Sequence, residues 1–193
     1  MPPIVLASTS PYRRELLQRL HLPFSVQAPR VDEQALRGES PGATACRLAL
    51  AKAQAVALDH PGAIVIGSDQ VADVDGEALS KPGTHEAALA QLTRMQGRDV
   101  VFHTALAVIG PDGGQQVDDV RTAVRFRRLP VGQLDAYLRL EQPYDCAGAA
   151  KIESLGITLL ESVRSDDPTA LIGLPLIRLT SMLAVCGVRL PAP

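Results

Sequence analysis

The sequence is poor in aromatic residues: it contains three Phe, three Tyr and no Trp in 193 residues. Aromatic side chains normally supply much of the apolar area of a core. This core must therefore be built from Leu, Val, Ile and Ala, and an aromatic ring outside an apolar segment needs its own explanation. Tyr12 is such a ring, because it lies between Pro11 and Arg13 in a polar stretch.

Three further absences narrow the class of protein. Three cysteines, an odd number with no C-x-x-C spacing, argue against a disulfide framework or a zinc site and fit a reducing compartment. No apolar run reaches the roughly 18 residues of a membrane span, and the N-terminus lacks the order of a signal peptide, so we expect a cytoplasmic protein with no membrane partner. A net charge of −2 argues against binding of a nucleic acid polymer.

Strand-like and helix-like segments alternate along the chain. The predicted strands are 4–7, 24–28, 63–67, a hairpin over 71–79 that turns at Asp75-Gly76, 100–109, 117–126 and 157–160. The predicted helices begin at Pro11, Pro41, Val131 and Pro175, and a further Ala-rich helix follows Thr84 as its cap. This order predicts one α/β domain, residues 1–193, with a mixed twisted sheet and flanking helices. We expect 82–145 to form a second lobe, with the substrate cleft between the two lobes.

A strand, a short loop and a helix open the chain in a way that suits a phosphate group. Ser8-Thr9-Ser10 follows strand 4–7, and Ser10-Pro11 is typical of a helix cap and first helical residue. Unpaired backbone N–H groups, hydroxyls and the Arg13 guanidinium all donate to phosphate oxygens. Neither a Walker motif nor G-x-G-x-x-G is present. A capped helix with solvated arginines explains the segment equally well at this point.

Carboxylates and lysines elsewhere could complete such a site. Asp69 follows the predicted strand 63–67, where α/β proteins place ligands, and could be a metal ligand or a general base. Glu33 adds a loop carboxylate, and Mg²⁺ binds one or two carboxylates together with substrate phosphates. Lys52 lies beside the apolar stripe of the second helix, and Lys81 precedes a proline. Each residue also has an ordinary capping or surface explanation.

Seven short segments together resemble the Maf family of nucleoside triphosphate pyrophosphatases. They occur in family order from residue 6 to 176: LASTSPYRRELL, VDE, RLALAKA, IGSDQV, SKP, CAGAAKIESLG and GLPL. The resemblance implies a Maf/ITPase-like α/β fold with a substrate cleft between two lobes, often in a homodimer. It also implies cleavage of a nucleoside triphosphate between the α and β phosphates, giving the monophosphate and pyrophosphate, with a divalent metal such as Mg²⁺ or Mn²⁺.

The resemblance further implies roles for individual residues. The positions that match phosphate contacts are Ser8, Arg13, Lys52 and Lys81. Asp69 matches the acid proposed as proton acceptor. Glu33 matches an acid linked to the metal, with Asp69 as its expected companion.

Three residues depart from the commoner Maf pattern, which has Arg, Thr and Gln where this sequence has Tyr12, Gln70 and Glu153. These departures resemble the subgroup that acts on 7-methyl-GTP. N7 methylation gives guanine a positive charge, which an aromatic face attracts by roughly 0.5–2 kcal/mol. The Glu153 carboxylate can accept from the guanine N–H edge. The alternatives are a dTTP/UTP pyrophosphatase of the commoner type, and a nucleotide-binding regulator of cell division without turnover.

Overall fold

The computed structural model describes residues 1–79 and 81–191. Its strands are β1 (Ile4–Ala7), β2 (Ser25–Gln27), β3 (Ile64–Val74), β4 (Glu77–Leu79), β5 (Asp99–Ile109), β6 (Gln115–Phe126) and β7 (Leu160–Ser165). Its helices are α1 (Pro11–Gln18), α2 (Pro41–Ala57), α3 (His85–Met95), α4 (Val131–Glu141) and α5 (Leu176–Val185). Short 3₁₀ turns occur at Ala147–Ala149, Leu155–Leu159 and Ala170–Ile172. The predicted mixed sheet with flanking helices is confirmed.

The sheet has the order β2-β1-β3-β5-β6-β7, with β4 paired to β3 outside this path. β1 is parallel to both β2 and β3, whereas the pairs β3–β5, β5–β6 and β6–β7 are antiparallel. The chain therefore adds β2 on one side of β1 and then returns to add β3 on the other. In α/β sheets, ligands bind beyond the carboxyl ends of the strands at such a reversal.

Apolar packing divides the molecule into two lobes, as expected, but the second lobe is not limited to 82–145. It also includes the end of β3, β4 and residues from 147–160, and it leaves out the second half of β5. Around β1 and the first half of β3, helices α1 and α5 cover one face of the sheet and α2 covers the other. Around the second half of β3 and the first half of β5, which pair with each other, a separate cluster gathers α3, α4 and the turns that follow α4. The long strands β3, β5 and β6 run through both lobes and join them.

Helix α2 packs unusually close to β3. It presents the small residues Ala45, Ala49 and Ala53 to the sheet. A Cβ atom at Gly67 of β3 would lie 2.2 Å from the Ala49 carbonyl oxygen and 2.8 Å from the Ala53 nitrogen. Only glycine therefore allows this approach of the helix to the strand.

The predicted helix starts and the predicted hairpin agree with the structure. The side chains of Ser10, Ser40 and Thr84 each accept a hydrogen bond from a backbone N–H three residues later. Asp75 and Gly76 both have positive φ, as a two-residue type I′ turn requires. The three cysteines are free thiols. Among the described residues, no helix is long and apolar enough to cross a bilayer.

Three local predictions were wrong. β3 continues past Gly67 to Val74, because its second half pairs with β5 after β1 has ended. Residues 155–159 form a 3₁₀ turn, and the strand begins only at Leu160, where pairing with β6 starts. Pro175 is the cap of α5 and not its first residue. Tyr12 lies in the first turn of α1, as the predicted helix start at Pro11 implies.

Candidate active site

A cleft opens where β1 ends and β3 continues beyond it. It is lined by residues 8–13, Pro29, Glu33, Lys52, Asp69, Gln70, Lys81, residues 145–147, Ala150, Glu153 and residues 171–173. Both lobes contribute, because α3 and α4 belong to the lobe from which 145–153 extends. All nine residues that the sequence singled out lie in this lining: Ser8, Tyr12, Arg13, Glu33, Lys52, Asp69, Gln70, Lys81 and Glu153. Ser80, their neighbour in the SKP segment, lies outside the described residues.

A buried lysine joins two carboxylates at one end of the cleft. The Lys52 Nζ atom lies 2.7 Å from Asp69 Oδ1 and 2.9 Å from Glu33 Oε1. The Lys52 and Asp69 side chains are only 6% and 11% exposed, whereas that of Glu33 is 53% exposed. The close packing of α2 on β3 explains the buried pair of Lys52 and Asp69. Ala49 of α2 lies over Gly67 of β3. Lys52 is about one helical turn after Ala49, and Asp69 is two strand residues after Gly67, so their side chains meet in the same way.

The cations around this end keep Glu33 ionised. Burial alone would raise the pKa of Glu33. The hydrogen bond and charge of Lys52, with the charges of Lys81 and Arg13, outweigh that effect and lower the pKa below its usual value. Glu33 is therefore a carboxylate at neutral pH, placed among three cations.

Arg13 is fixed by the backbone at the same end of the cleft, close enough for its charge to act on Asp69 and Glu33. Its Nε atom donates to the Gly173 carbonyl oxygen at 2.8 Å, and Ser68 Oγ donates to the same oxygen at 3.0 Å. Desolvation lowers the pKa of Arg13, while Asp69 and Glu33 oppose that shift. A guanidinium stays charged at any physiological pH, and the hydrogen bond leaves its terminal N–H groups to donate elsewhere.

Ser8 closes this end of the cleft. It follows β1, is buried, and its Oγ atom accepts the Ser10 N–H at 3.0 Å. Because the hydroxyl accepts that bond, its hydrogen can still be donated to a phosphate oxygen. Ser8, Arg13, Lys52 and Lys81 thus form a donor-rich region, which we call the cationic end.

The two carboxylates at the cationic end, Glu33 and Asp69, supply enough ligands for a divalent cation only when a substrate supplies the rest. Within residues 1–79 and 81–191, no group of three or more His, Cys, Asp or Glu side chains is arranged as a metal site. Glu33 and Asp69 nevertheless meet at one lysine, so two carboxylates lie close together. Mg²⁺ commonly takes one or two carboxylates and completes its octahedron with water and substrate phosphates.

The other end of the cleft is aromatic and acidic. Burial raises the pKa of Tyr12, and Cys146, Asp145 and Glu153 raise it further. Burial also raises the pKa of the Cys146 thiol to about 12 and raises the pKa of Glu153 above its usual value. The phenol and the thiol are therefore uncharged at neutral pH, and two carboxylates stand near the ring. We call this region the aromatic end.

Gln70 is fixed by the fold. Its Nε2 atom lies within 3.0–3.2 Å of Thr104 Oγ1 and of the carbonyl oxygens of Ala170 and Leu171. Because these acceptors occupy the amide hydrogens, a contact between Gln70 and a base would use the Oε1 atom. The same bonds hold the 170–173 segment that receives Arg13.

Sequence reasoning missed the residues that hold the site together. Gly67, Ser68 and Gly173 position Lys52 and Arg13, and Asp145 and Cys146 complete the aromatic end. A glycine inside an otherwise β-branched strand was the available signal for Gly67, because it often marks a close backbone approach. The acceptor role of the Gly173 carbonyl oxygen has no sequence signal.

Proteins of similar sequence match this chain over nearly its full length. A relative from Polaromonas sp. is 62% identical, and the match covers 97% of this chain and 86% of the relative. A relative from Cupriavidus metallidurans is 59% identical, with 96% of this chain and 94% of the relative covered. A relative from Ralstonia nicotianae is 61% identical, with 94% of each chain covered. Each is named 7-methyl-GTP pyrophosphatase.

Solved structures resemble only part of the fold. The Staphylococcus aureus Ham1 protein matches with a TM-score of 0.48 and 20% identity, covering 64% of this chain and 71% of that one. A dITP/XTP pyrophosphatase from Mycobacterium abscessus matches with a TM-score of 0.42 and 23% identity, covering 66% and 76%. The family model of Maf-like proteins matches residues 3–186, nearly the full length. The chain is a member of the Maf family.

Proposed function

We propose that this protein hydrolyses nucleoside triphosphates between the α and β phosphates, and that 7-methyl-GTP is its preferred substrate. The observation that carries the proposal is the division of one cleft into a cationic end and an aromatic, acidic end. 7-Methyl-GTP has the complementary division, with negative charge on the triphosphate and positive charge on the base. The names of relatives about 60% identical to this chain support the same substrate.

At the cationic end, the proposed chemistry is attack of water on the α phosphorus. Asp69 orients the water and takes its proton, while the bond to the bridging oxygen breaks and pyrophosphate leaves with the electron pair. Proton abstraction of this kind contributes about 10²–10⁴-fold. Arg13, Lys52 and Lys81 stabilise the charge that develops on the leaving group, which is the larger contribution.

We also propose that a divalent cation, Mg²⁺ or Mn²⁺, binds with the substrate at Glu33 and Asp69. Such a cation, once bound, would neutralise charge on the phosphates. Lys52, which contacts both carboxylates, would fix their spacing.

At the aromatic end, Tyr12 would stack on the methylated base and Glu153 would accept hydrogen bonds from its N–H edge. An arginine at position 12 would repel the same cationic base. The closeness of Tyr12, Asp145 and Glu153 supports this assignment, since all three interact electrostatically.

The test is turnover of a nucleotide panel by purified protein with Mg²⁺, read as pyrophosphate released. We expect the highest kcat/KM for 7-methyl-GTP. A preference for dTTP or UTP would overturn the substrate assignment and favour the commoner Maf activity. Binding of a nucleotide without turnover of any would favour the regulator of cell division.

The single domain over 1–193, the homodimer and the cytoplasmic location stay predictions. The sheet that continues through both lobes supports the single domain. Light scattering of the purified protein measures the oligomeric state directly.

A further inference from the structure

Lys151 is a cation beside the aromatic end to which the proposed function gives no role. Its Nζ atom lies 5.8 Å from the centroid of the Tyr12 ring, within the range of a cation–π contact. Its charge also acts on Glu153, whose pKa burial raises and Lys151 lowers. Lys151 therefore interacts with both residues that we propose to read the base.

Glu141, at the end of α4, holds the segment on both sides of Glu153. Its Oε2 atom lies 3.6 Å from Lys151 Nζ. Its Oε1 atom accepts Ser154 Oγ at 2.6 Å and the Leu155 N–H at 3.2 Å. The hydrogen bond from Ser154 is the main cause that lowers the pKa of Glu141, and Lys151 adds to it. The side chain is 14% exposed, so this anchor is largely shielded from solvent.

The backbone of the same segment is held in one conformation. The Tyr137 hydroxyl donates to the Ala149 carbonyl at 3.1 Å and accepts the Lys151 N–H at 3.0 Å. The Gly156 N–H donates to the Lys151 carbonyl at 3.0 Å. A Cβ at Gly156 would lie 2.3 Å from that oxygen, so the tight return requires glycine.

We infer that Lys151, held by Glu141, is a positioning residue for base selection. Tyr12 lies on α1 and Glu153 lies on the segment after α4, so the two belong to different elements. The Lys151 ammonium links them by contacting the ring while its own backbone is two residues from Glu153. This inference rests on the proposed function, since it concerns which base the cleft prefers.

The test compares Lys151→Met, which keeps the length of the side chain without its charge, with Lys151→Arg, which keeps the charge. Arg139→Met is the matched control, because it removes one positive charge from the exposed face of α4 at its pair with Asp135. For each variant, kcat and KM are measured with 7-methyl-GTP and with GTP. Because the ammonium holds the Tyr12 ring in place, we expect its loss in Lys151→Met to raise KM for 7-methyl-GTP about three- to tenfold. This effect is opposite in sign to the relief of repulsion between Lys151 and the cationic base. The kcat and the GTP constants should change less than twofold. Lys151→Arg should restore most of the loss.

A pH profile separates positioning from a general structural role. The Lys151 charge lowers the pKa of Glu153, so this pKa should rise in Lys151→Met. The preference for 7-methyl-GTP over GTP should then be lost on acidification at a higher pH than in the wild-type protein. Equal losses with both substrates, an unchanged substrate ratio, or a lower KM of Lys151→Met for 7-methyl-GTP would overturn the inference. If the wild-type protein itself does not prefer 7-methyl-GTP, the proposed function fails instead. Should Lys151→Met not fold, Glu141→Gln weakens the hold on the ammonium while keeping the acceptor for Ser154, and the same criteria apply.

Discussion

At the scale of single residues, Asp69 and Glu33 share Lys52 but differ in exposure. Asp69 is buried against the lysine, and Glu33 reaches it from a loop that is half open to water. This difference suits different tasks: a shielded carboxylate keeps a fixed orientation, whereas an exposed one can exchange its partner when a substrate arrives. Both were predicted from the sequence as acids of the site, but their meeting at one lysine was not.

We expect Asp69→Asn to lower kcat about 10²–10⁴-fold. The amide keeps the shape of the side chain but cannot take a proton from water. Lys52 keeps Glu33 as a partner, so the free energy of unfolding should fall by only about 1–3 kcal/mol. Steady-state kinetics and chemical denaturation measure both quantities. Activity that survives the substitution would remove Asp69 from the role of proton acceptor.

Glu153 predicts a pH dependence of substrate choice. Burial raises its pKa above the usual 4.5, so the carboxylate is lost on acidification earlier than an exposed glutamate would be. The ratio of kcat/KM for 7-methyl-GTP to that for GTP should therefore be constant near neutral pH. It should fall as the pH drops through the raised pKa. In Glu153→Gln this ratio should be low at every pH. If the ratio of the variant still falls on acidification, the titrating group is not Glu153.

At the scale of elements, local signals in the sequence predicted where chain segments begin, and tertiary pairing decided where they end. Ser10, Ser40 and Thr84 are caps whose hydrogen bonds stay within four residues, so the sequence alone predicts them. The extension of β3 through the polar Ser68-Asp69-Gln70 depends on the ladder to β5, which lies over 30 residues later. No local pattern contains that information.

Gly67 links the packing of α2 to the chemistry of the cleft. In Gly67→Ala, the new methyl group would overlap the Ala49 carbonyl and push α2 from the sheet. We expect a loss of about 1–3 kcal/mol in the free energy of unfolding. The same movement would separate Lys52 from Asp69, so kcat should fall more than stability explains.

Gly132→Ala is the matched control for Gly67→Ala. It lies in the first turn of α4, and a Cβ there meets no atom within 4 Å. Its unfolding free energy and its kcat should stay close to those of the wild-type protein. A Gly67→Ala protein as stable and active as Gly132→Ala would show that α2 can move without consequence.

At the scale of the whole molecule, a buried histidine ties three strands of the sheet together. His103 on β5 lies 2.7 Å from Asp119 on β6 and 3.5 Å from Asp73 on β3. The hydrogen bond to Asp119 is the largest cause that raises the pKa of His103 above 6.5, against desolvation. The cluster lies on the face of the sheet that α2 covers, next to Gly42. Because β3, β5 and β6 run through both lobes, the cluster holds together strands that the two lobes share.

The cluster makes stability depend on pH with a definite sign. The folded pKa of His103 lies above the unfolded value, so its contribution is complete below about pH 6.5 and is lost as the pH rises through the folded pKa. The difference in unfolding free energy between wild type and His103→Gln should therefore be larger at pH 6 than at pH 9. Denaturation at both pH values measures it. The same difference at both would mean that His103 is neutral in the folded protein.

The two ends of the cleft also make it a pair of half-sites. On the proposed function, a fragment that carries only phosphate charge would bind at Arg13, Lys52 and Lys81, and a fragment that carries only a methylated base would bind at Tyr12 and Glu153, all of which line the one cleft. The two fragments need not exclude each other, since their partners are different side chains. Their covalent connection in one nucleotide then makes the second contact intramolecular, so the affinity of the whole exceeds that of either part.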